Sequence, residues 1–332
     1  MRQRWNHYRS YLQRRYGGSV YRIGIDGGFS CPNRDEHRGG GCIYCDARGS
    51  SAVYQRPDER GFTRSSSFVP SIDAASHEPF PYRITERLES IDRQIVRGKR
   101  FLQDRYGDVG QSIYFQAYSN TYDDPAVLQR LYDHALDSGS YIEFIVSTRP
   151  DCLSDEIITL LASYRQRVAT VWVELGLQSG DDTTLEWIGR GHTVDDFSAA
   201  VQRLHDAGIE VCAHVILGFP IEGETQRNLT ADVICRTQPE AIKIHNLHVV
   251  AGTRLYERYC QEPFHVDTRE EHVAHTIALL RRIPEDCVIQ RFTSDTPAHR
   301  LAAPRDFGDK GQFLADLQQK MEQLDVYQGD LL

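Results

Sequence analysis

The chain has 332 residues, of which 40% are hydrophobic, and this is enough apolar material for a large core. A net charge of -9 excludes non-specific nucleic-acid binding through overall charge, and no apolar run approaches the roughly 20 residues that span a bilayer. The first residues lack the apolar centre of a signal peptide. We therefore expect a cytoplasmic protein with no membrane partner, whose eight cysteines stay unpaired in a reducing compartment.

The chain begins with a basic segment, residues 1–18, which is expected to form a helix. It contains arginines and tyrosines and no acidic residue. Positive charge beside rings that can stack on bases suits RNA, so Arg4, Arg9, Arg14 and Arg15 are candidate RNA contacts. A helix with a solvated basic face is an equally good interpretation of these residues alone.

Six apolar, β-branched runs follow, and segments of helical period separate them. The runs predict strands at residues 20–26, 112–116, 141–146, 171–177, 210–217 and 241–248, and the helical periods predict helices at residues 85–106, 125–138, 154–165, 193–207 and 225–237. This alternation predicts βαβ units around a parallel sheet, as a closed barrel, a partial barrel or an open doubly wound sheet. In each of these folds, ligands bind at the carboxyl ends of the strands.

Two further segments lack this alternation. Residues 46–83 are rich in Ser and Pro without a clear period, and we expect an irregular insertion that closes the mouth of the sheet as a lid. Residues 284–332 hold a short apolar run and a helix at 310–324. We expect them to form a C-terminal extension packed on the main unit, residues 19–283.

Three cysteines, Cys31, Cys42 and Cys45, follow the first predicted strand with the spacing C-x10-C-x2-C. The two close cysteines can face one metal centre, and the glycines at 39–41 allow the backbone to bring Cys31 to it. With His37 as a fourth ligand the set suits zinc, as in a zinc-stabilised RNA-binding protein without enzymatic activity. Three cysteines alone suit a 4Fe-4S cluster that keeps one iron open for chemistry. The spacing by itself leaves both interpretations open.

Motifs further along the chain favour the second interpretation. The chain resembles the radical S-adenosylmethionine (SAM) superfamily, because it carries in the family's order GIDGGFSCPNRDE, FQAYSNTY, VSTRPDCL, VELGLQS, IGRGHT, HVILGFPIEGE and IKIHNLHVVAGTRL. The resemblance covers about residues 5–283 and is to the branch that contains the elongator catalytic subunit and bacterial YhcC/YtqA-like proteins. It implies an α/β fold, a partial (β/α)6 TIM-type barrel, here with a short C-terminal extension.

The resemblance also implies the cofactors and the reaction. The three cysteines would hold a 4Fe-4S cluster, and SAM would chelate the iron that they leave open. The reduced cluster would pass one electron to SAM and cleave it to methionine and a 5'-deoxyadenosyl radical, which takes a hydrogen atom from the substrate. The electron would come from a donor such as flavodoxin or ferredoxin. The implied SAM contacts are Tyr44, Ser119, Asn120, Glu174, Gln178, Arg190 and Gly218.

Several of these residues also have a structural interpretation. Ser119 and Asn120 could simply form a capped turn. Glu174 and Gln178 share one face of a strand, where they could bind the ribose hydroxyls of SAM or form an internal polar network. Arg190 could pair with the SAM carboxylate or with the end of a helix.

Three basic residues on the fifth and sixth predicted strands are candidates for catalysis or substrate contact. His214 points either into the barrel or into the helix layer, and a single histidine on a strand is more often structural. Lys243 and His245 are weaker candidates of the same kind.

The branch implies a substrate class. Its elongator-like members modify the wobble uridine of tRNA, so we expect tRNA as the substrate and the C5 side chain of that uridine as the target. These 332 residues carry no counterpart of the elongator subunit's acetyltransferase domain, so we expect an installed substituent to be remodelled. The alternative is a radical SAM enzyme that acts on a small metabolite or a peptide.

Overall fold

The structure is a computed structural model that describes residues 3–34, 41–46, 55 and 84–332. The predicted lid at residues 46–83 lies outside the described residues, apart from Asp46 and Gln55, and His37 lies outside them as well.

A seven-stranded parallel sheet, in the order β1-β2-β3-β4-β5-β6-β8, forms the centre of the described part of the chain and curls into an open half-barrel. This confirms the predicted partial barrel. A short antiparallel pair, β7 and β9, lies apart from the sheet. The strands are β1 (Val20–Ile25), β2 (Gly110–Phe115), β3 (Glu143–Thr148), β4 (Thr170–Gln178), β5 (Glu210–Leu217), β6 (Ala241–Asn246), β7 (Val249–Val250), β8 (Val288–Arg291) and β9 (Leu301–Ala303).

Helices connect successive strands of the sheet, and side-chain caps fix where several of them begin. The Thr193 side chain accepts a hydrogen bond from Asp196 N and the Asp196 side chain accepts one from Thr193 N, which is a capping box. None of the helices in the described ranges combines the length and the apolar character needed to cross a lipid bilayer. The helices are α1 (Tyr8–Tyr16), α2 (Ile84–Tyr106), α3 (Pro125–Asp137), α4 (Asp155–Ser163), α5 (Asp182–Trp187), α6 (Val194–Asp206), α7 (Glu224–Thr237), α8 (Arg254–Gln261), α9 (Arg269–Arg281) and α10 (Lys310–Leu324).

Alternation along each strand separates two faces of the sheet. On β4, Val171, Val173 and Leu175 join the main apolar core beneath the helices. Trp172 belongs instead to a second, smaller cluster on the inner face, which also contains Tyr114 of β2. The inner face therefore holds the large polar and aromatic side chains, and the outer face anchors the helix layer.

Helix α1 closes the inner face at the amino ends of the strands. The Tyr11 hydroxyl donates to Glu210, the first residue of β5, at 3.1 Å. The hydroxyl of Tyr16 lies 2.6 Å from the Oγ1 of Thr170, the first residue of β4. Tyr11 also packs edge-on against the buried Trp172 at 6.1 Å between ring centroids. The tyrosines of the basic segment therefore face the barrel.

The C-terminal region, residues 284–332, contributes a strand to the sheet. Six strands are expected from the sequence, and the structure adds β8, which pairs in parallel with β6 from Ala241 and Val288 onward. Only Val288 and Ile289 of this strand are buried, so its local apolar pattern is short.

Candidate functional site

The two close cysteines lie in a tight turn that neighbouring elements hold from two sides. Cys45 N donates to Cys42 O at 3.0 Å. Ile43 N donates to Ile188 O, just after α5, at 2.9 Å, and Ile43 O accepts from Leu255 N of α8 at 2.8 Å. Helix α8 and the residue that follows α5 therefore help to position the cysteine turn.

Polar donors surround the thiols. Cys42 Sγ accepts from Arg190 Nη1 at 3.6 Å and from Asn33 Nδ2 at 3.5 Å, while Arg34 Nη1 donates to Cys45 Sγ at 3.9 Å. Burial opposes ionisation of Cys42, but the charges of Arg190 and Arg149 and the hydrogen bonds from Arg190 and Asn33 together outweigh it, and the pKa of this thiol lies below its usual value. Burial and the nearby Cys42 raise the pKa of Cys45 to about 12.

These thiols fit an iron–sulfur centre. All eight cysteines of the chain are free, so none is used in a disulfide. Cys31 and Cys42 are buried, and Cys45 is half-buried. Burial and the nearby Cys42 oppose ionisation of Cys45, and the iron ions of a cluster would favour its thiolate form.

Arg149 is a buried cation at this mouth that the sequence interpretation did not select. Its guanidinium donates to Asp151 through Nε at 2.8 Å and through Nη2 at 2.9 Å. Its Nη1 is buried and has no partner among the described residues. Arg149 also interacts electrostatically with Cys31. The signal in the sequence was a charged residue that directly follows a fully buried strand, within VSTRPDCL.

Ser119 and Asn120 form a turn beside the cysteines at the carboxyl end of β2. Ser119 N donates to Ser30 O, next to Cys31, at 3.2 Å. Asn120 donates to Ser147 O of β3 from its backbone at 3.0 Å and from its side chain at 2.8 Å. Asn120 Oδ1 stays buried without a partner in the described part of the chain. Hydrogen bonds to neighbouring loops and strands therefore hold the turn in place, and Asn120 Oδ1 is left as an acceptor that a ligand could use.

Gln178 and Arg190 meet at the end of β4. Gln178 has a φ of 75°, and the strand register shifts between it and Gly176. Arg190 donates to Gly176 O at 3.0 Å and to His192 Nε2 at 2.9 Å. A Cβ on Gly176 would overlap the Arg190 guanidinium and the Gln178 amide. The small residue therefore lets two polar side chains converge beside Cys42.

Tyr44, between Cys42 and Cys45 in the chain, lies near the turn at Gly218. The Tyr44 ring packs against Phe219, which follows Gly218, at 6.3 Å between centroids. Gly218 has a φ of 93°, and a Cβ there would lie 2.8 Å from the Asp267 carboxylate. Both the backbone conformation and the space therefore require glycine at this turn.

Glu174 lies deeper, within the inner face, and its carboxylate is fully buried. Within the described ranges it accepts hydrogen bonds at 2.5–3.2 Å from five side chains: Arg22, Tyr114, Ser147, His214 and Lys243. Arg22 and Lys243 hold its pKa well below its usual range despite burial. Because both oxygens are already used, this environment favours the internal polar network over a ribose contact.

The three basic candidates surround this carboxylate. Burial, and then the charge of Arg22, lower the pKa of Lys243, while the Glu174 carboxylate, 2.5 Å from its Nζ, favours the ammonium form. Burial lowers the pKa of His214 to about 4, and burial together with His214 lowers that of His245 well below its usual value. Both imidazoles are therefore neutral at pH 7.

The N-terminal arginines lie at the opposite end of the strands from the cysteines. Arg4 pairs with Asp325 at 2.9 Å, and Arg15 pairs with Glu210 at 2.5 Å. Arg14 donates to Asn6 Oδ1 at 3.0 Å. The side chain of Arg9 is exposed.

Comparison with known proteins identifies the family. Residues 31–234 match the Radical SAM superfamily and residues 239–323 match the Radical SAM C-terminal domain. The chain is 31% identical to Protein YhcC of Escherichia coli strain K12 over 294 residues, which cover 88% of this chain and 84% of YhcC. It therefore belongs to the radical SAM superfamily.

Two more distant similarities concern part of the chain. It is 31% identical over 162 residues to the tRNA uridine(34) acetyltransferase of Methanocaldococcus jannaschii, over 47% of this chain and 29% of that protein. The solved structure of Methanocaldococcus infernus Elp3 with an N-terminal deletion superposes with a TM-score of 0.65 at 19% identity, over 74% of this chain and 62% of that one. The second similarity shows a shared fold.

Family membership decides between the two classes of function that the sequence leaves open. The chain is an enzyme of a superfamily that uses a 4Fe-4S cluster, SAM and an electron donor. The alternative of a non-enzymatic, zinc-stabilised RNA-binding protein is therefore wrong. His37, the fourth zinc ligand in that alternative, lies outside the described residues.

Proposed function

We propose that this radical SAM enzyme modifies tRNA, at the C5 side chain of the wobble uridine. The observation that carries the proposal is the 162-residue match to a tRNA uridine(34) acetyltransferase, a protein named for the same nucleotide. The Elp3 structure supports a common fold for the radical domain. We further propose a cytoplasmic location, in keeping with eight free cysteines, and a flavodoxin or ferredoxin as the electron donor.

Each part of the mouth has a place in this proposal. Cys31, Cys42 and Cys45 would ligate the cluster. When bound, the cluster and SAM supply reductive cleavage of SAM and abstraction of a hydrogen atom from the substrate. Arg190 and Arg149 would compensate negative charge at this end of the sheet, because both are buried cations beside thiols. The proposed SAM contacts are Tyr44, Ser119, Asn120, Gln178, Arg190 and Gly218, with Glu174 one layer below.

One observation favours the second candidate, a radical SAM enzyme that acts on a small metabolite or a peptide. Arg4 and Arg15 form ion pairs within the chain, and α1 packs against the amino ends of the strands. The basic segment is therefore far from the mouth in the direction of the strands. RNA contact by Arg4, Arg9, Arg14 and Arg15 remains a proposal that needs its own measurement.

The test is modification of tRNA by the reconstituted enzyme. Anaerobically purified protein with cluster, SAM and dithionite is incubated with tRNA from a strain that lacks the gene, and nucleosides are analysed by mass spectrometry. We expect a mass change confined to the wobble uridine, together with 5'-deoxyadenosine. Cys31→Ala should lose both products, whereas Cys260→Ala, at an exposed cysteine of α8, should retain them.

Two results would contradict the proposal. An unchanged nucleoside profile, with 5'-deoxyadenosine formed equally with and without tRNA, would favour the small-molecule candidate. Full nucleoside modification by Cys31→Ala would contradict its role as a cluster ligand.

A further inference from the structure

Two histidines form the inner layer between the buried carboxylate and the mouth. His214 of β5 and His245 of β6 have ring centroids 5.2 Å apart and planes tilted by 38°. The His214 side chain is 20% exposed, whereas Glu174 beneath it is fully buried. His214 therefore separates Glu174 from the open part of the barrel.

Glu174 determines which nitrogen of His214 carries the proton. His214 Nε2 lies 2.9 Å from Glu174 Oε2. Because an ionised carboxylate only accepts hydrogen bonds, Nε2 of a neutral His214 must be the donor, and Nδ1 then keeps its lone pair. His214 thereby becomes a hydrogen-bond acceptor on its other edge.

His245 supplies a second polar atom in the same layer. Its Nε2 is buried and has no hydrogen-bond partner among the described residues. A buried nitrogen without a partner is costly, and a ligand that bonds to it removes that cost. The two imidazoles therefore present hydrogen-bonding atoms that the described side chains leave available.

The surrounding charge restricts what these atoms can bind. Arg22 and Lys243 both contact Glu174, and Arg291 adds a further positive charge that acts on both imidazoles. Ligand atoms of Glu174, Cys212 and His214 lie within 4.8 Å of one another, but the two cations occupy the carboxylate and repel a metal ion. The same positive charges disfavour a cationic group of a substrate at this position. They do not disfavour an uncharged hydrogen-bond donor.

We propose that Glu174 holds His214 as a neutral acceptor that, beside His245, recognises an uncharged N–H of the substrate. The identity of this group rests on the proposed function: it is the imide N3–H of the uracil base. The carbonyl groups on either side of N3 are then available to His245. His214 is thus a specificity residue for the base, and Glu174 is the positioning residue that sets its tautomer.

The tautomer is measured without any substrate. In the cluster-loaded protein labelled with 15N-histidine, long-range proton–nitrogen spectra at pH 7 distinguish the two neutral tautomers, and His214→Gln identifies the signal by its loss. We expect Nε2 protonated and Nδ1 unprotonated. A protonated Nδ1, or an imidazolium at pH 7, overturns the inference whatever the substrate is.

Recognition is measured with two anticodon stem-loops that carry uridine or N3-methyluridine at the wobble position. In a binding assay with SAM present, we expect the wild-type protein to prefer uridine by about tenfold, the size of one buried hydrogen bond. His214→Ala should lose this preference, and His134→Ala, a surface histidine of α3 that pairs with Asp92, should keep it. Equal affinities in the wild type overturn the inference. If neither stem-loop binds, the proposed function is contradicted, and so is recognition of the base by His214. The tautomer of His214 is tested separately, by the nitrogen spectra.

Discussion

The buried carboxylate of Glu174 provides the sharpest prediction about stability. Glu174→Gln removes the negative charge that both Arg22 and Lys243 contact, at 2.7 Å and 2.5 Å. The Lys243 side chain is only 2% exposed and has little access to water in compensation. The substitution keeps the size of the side chain, so the change in stability reports the charge.

The contacts of Glu174 predict how much free energy of unfolding each variant loses. Breaking a buried ion pair by removing one partner costs about 3–5 kcal/mol, and because two cations lose Glu174 we expect about 5 kcal/mol for Glu174→Gln. Lys243→Met leaves Glu174 paired with Arg22 and removes a buried cation, so we expect about 2 kcal/mol. In the double variant one cation is left, and we expect about 4 kcal/mol, about 3 kcal/mol less than the sum of the single effects.

Urea unfolding followed by tryptophan fluorescence measures all four proteins, with the buried Trp172 on the same inner face. The charge network would be refuted as the source of the lost stability by either of two results. One is that the losses in unfolding free energy of the two single variants add, within about 0.5 kcal/mol, to that of the double variant; the other is a larger loss for Lys243→Met than for Glu174→Gln.

Three further predictions concern the cysteine turn and the core. Arg300→Gln breaks the ion pair with Asp46, next to Cys45, and should weaken cluster retention about tenfold, measured as iron and labile sulfide; full retention would contradict a positioning role. Gly176→Ala should displace Arg190 and cause a similar loss, whereas Gly18→Ala, with no atom within 4 Å of its Cβ, should not. Burial lowers the pKa of His272 to about 4, so its unfolded form binds the extra proton and stability falls as pH drops from about 6.5 to 4. His272→Gln should reduce proton uptake on unfolding at pH 5 by about one, and an unchanged slope of free energy against pH would contradict it.

Local patterns in the sequence predict most of the sheet and the place of the cysteines. The predicted strand at residues 210–217 coincides with β5, and the alternation on β4 correctly separates Glu174 from Val173. The alternation of inward and outward side chains along a strand depends only on neighbouring residues, so it can be predicted without knowledge of the fold. The same patterns place Cys31 directly after the first strand, at the carboxyl edge.

The short strand β8 is an element that local sequence patterns do not predict. Its two buried residues, Val288 and Ile289, give too little periodicity to separate a strand of the main sheet from a packed extension. Its place depends on pairing with β6, more than 40 residues earlier in the chain.

The sequence by itself determined the class of fold, the family and the cysteines at the mouth, because these depend on local periodicity and on motifs in order. Only the tertiary structure decided which charges meet. Arg22 pairs with Glu174 across 152 residues, Arg15 pairs with Glu210, and Arg149 lies beside Cys31. Such pairs depend on how the strands align in the sheet and on how α1 and the loops pack at its two ends, and no local pattern in the sequence encodes that arrangement.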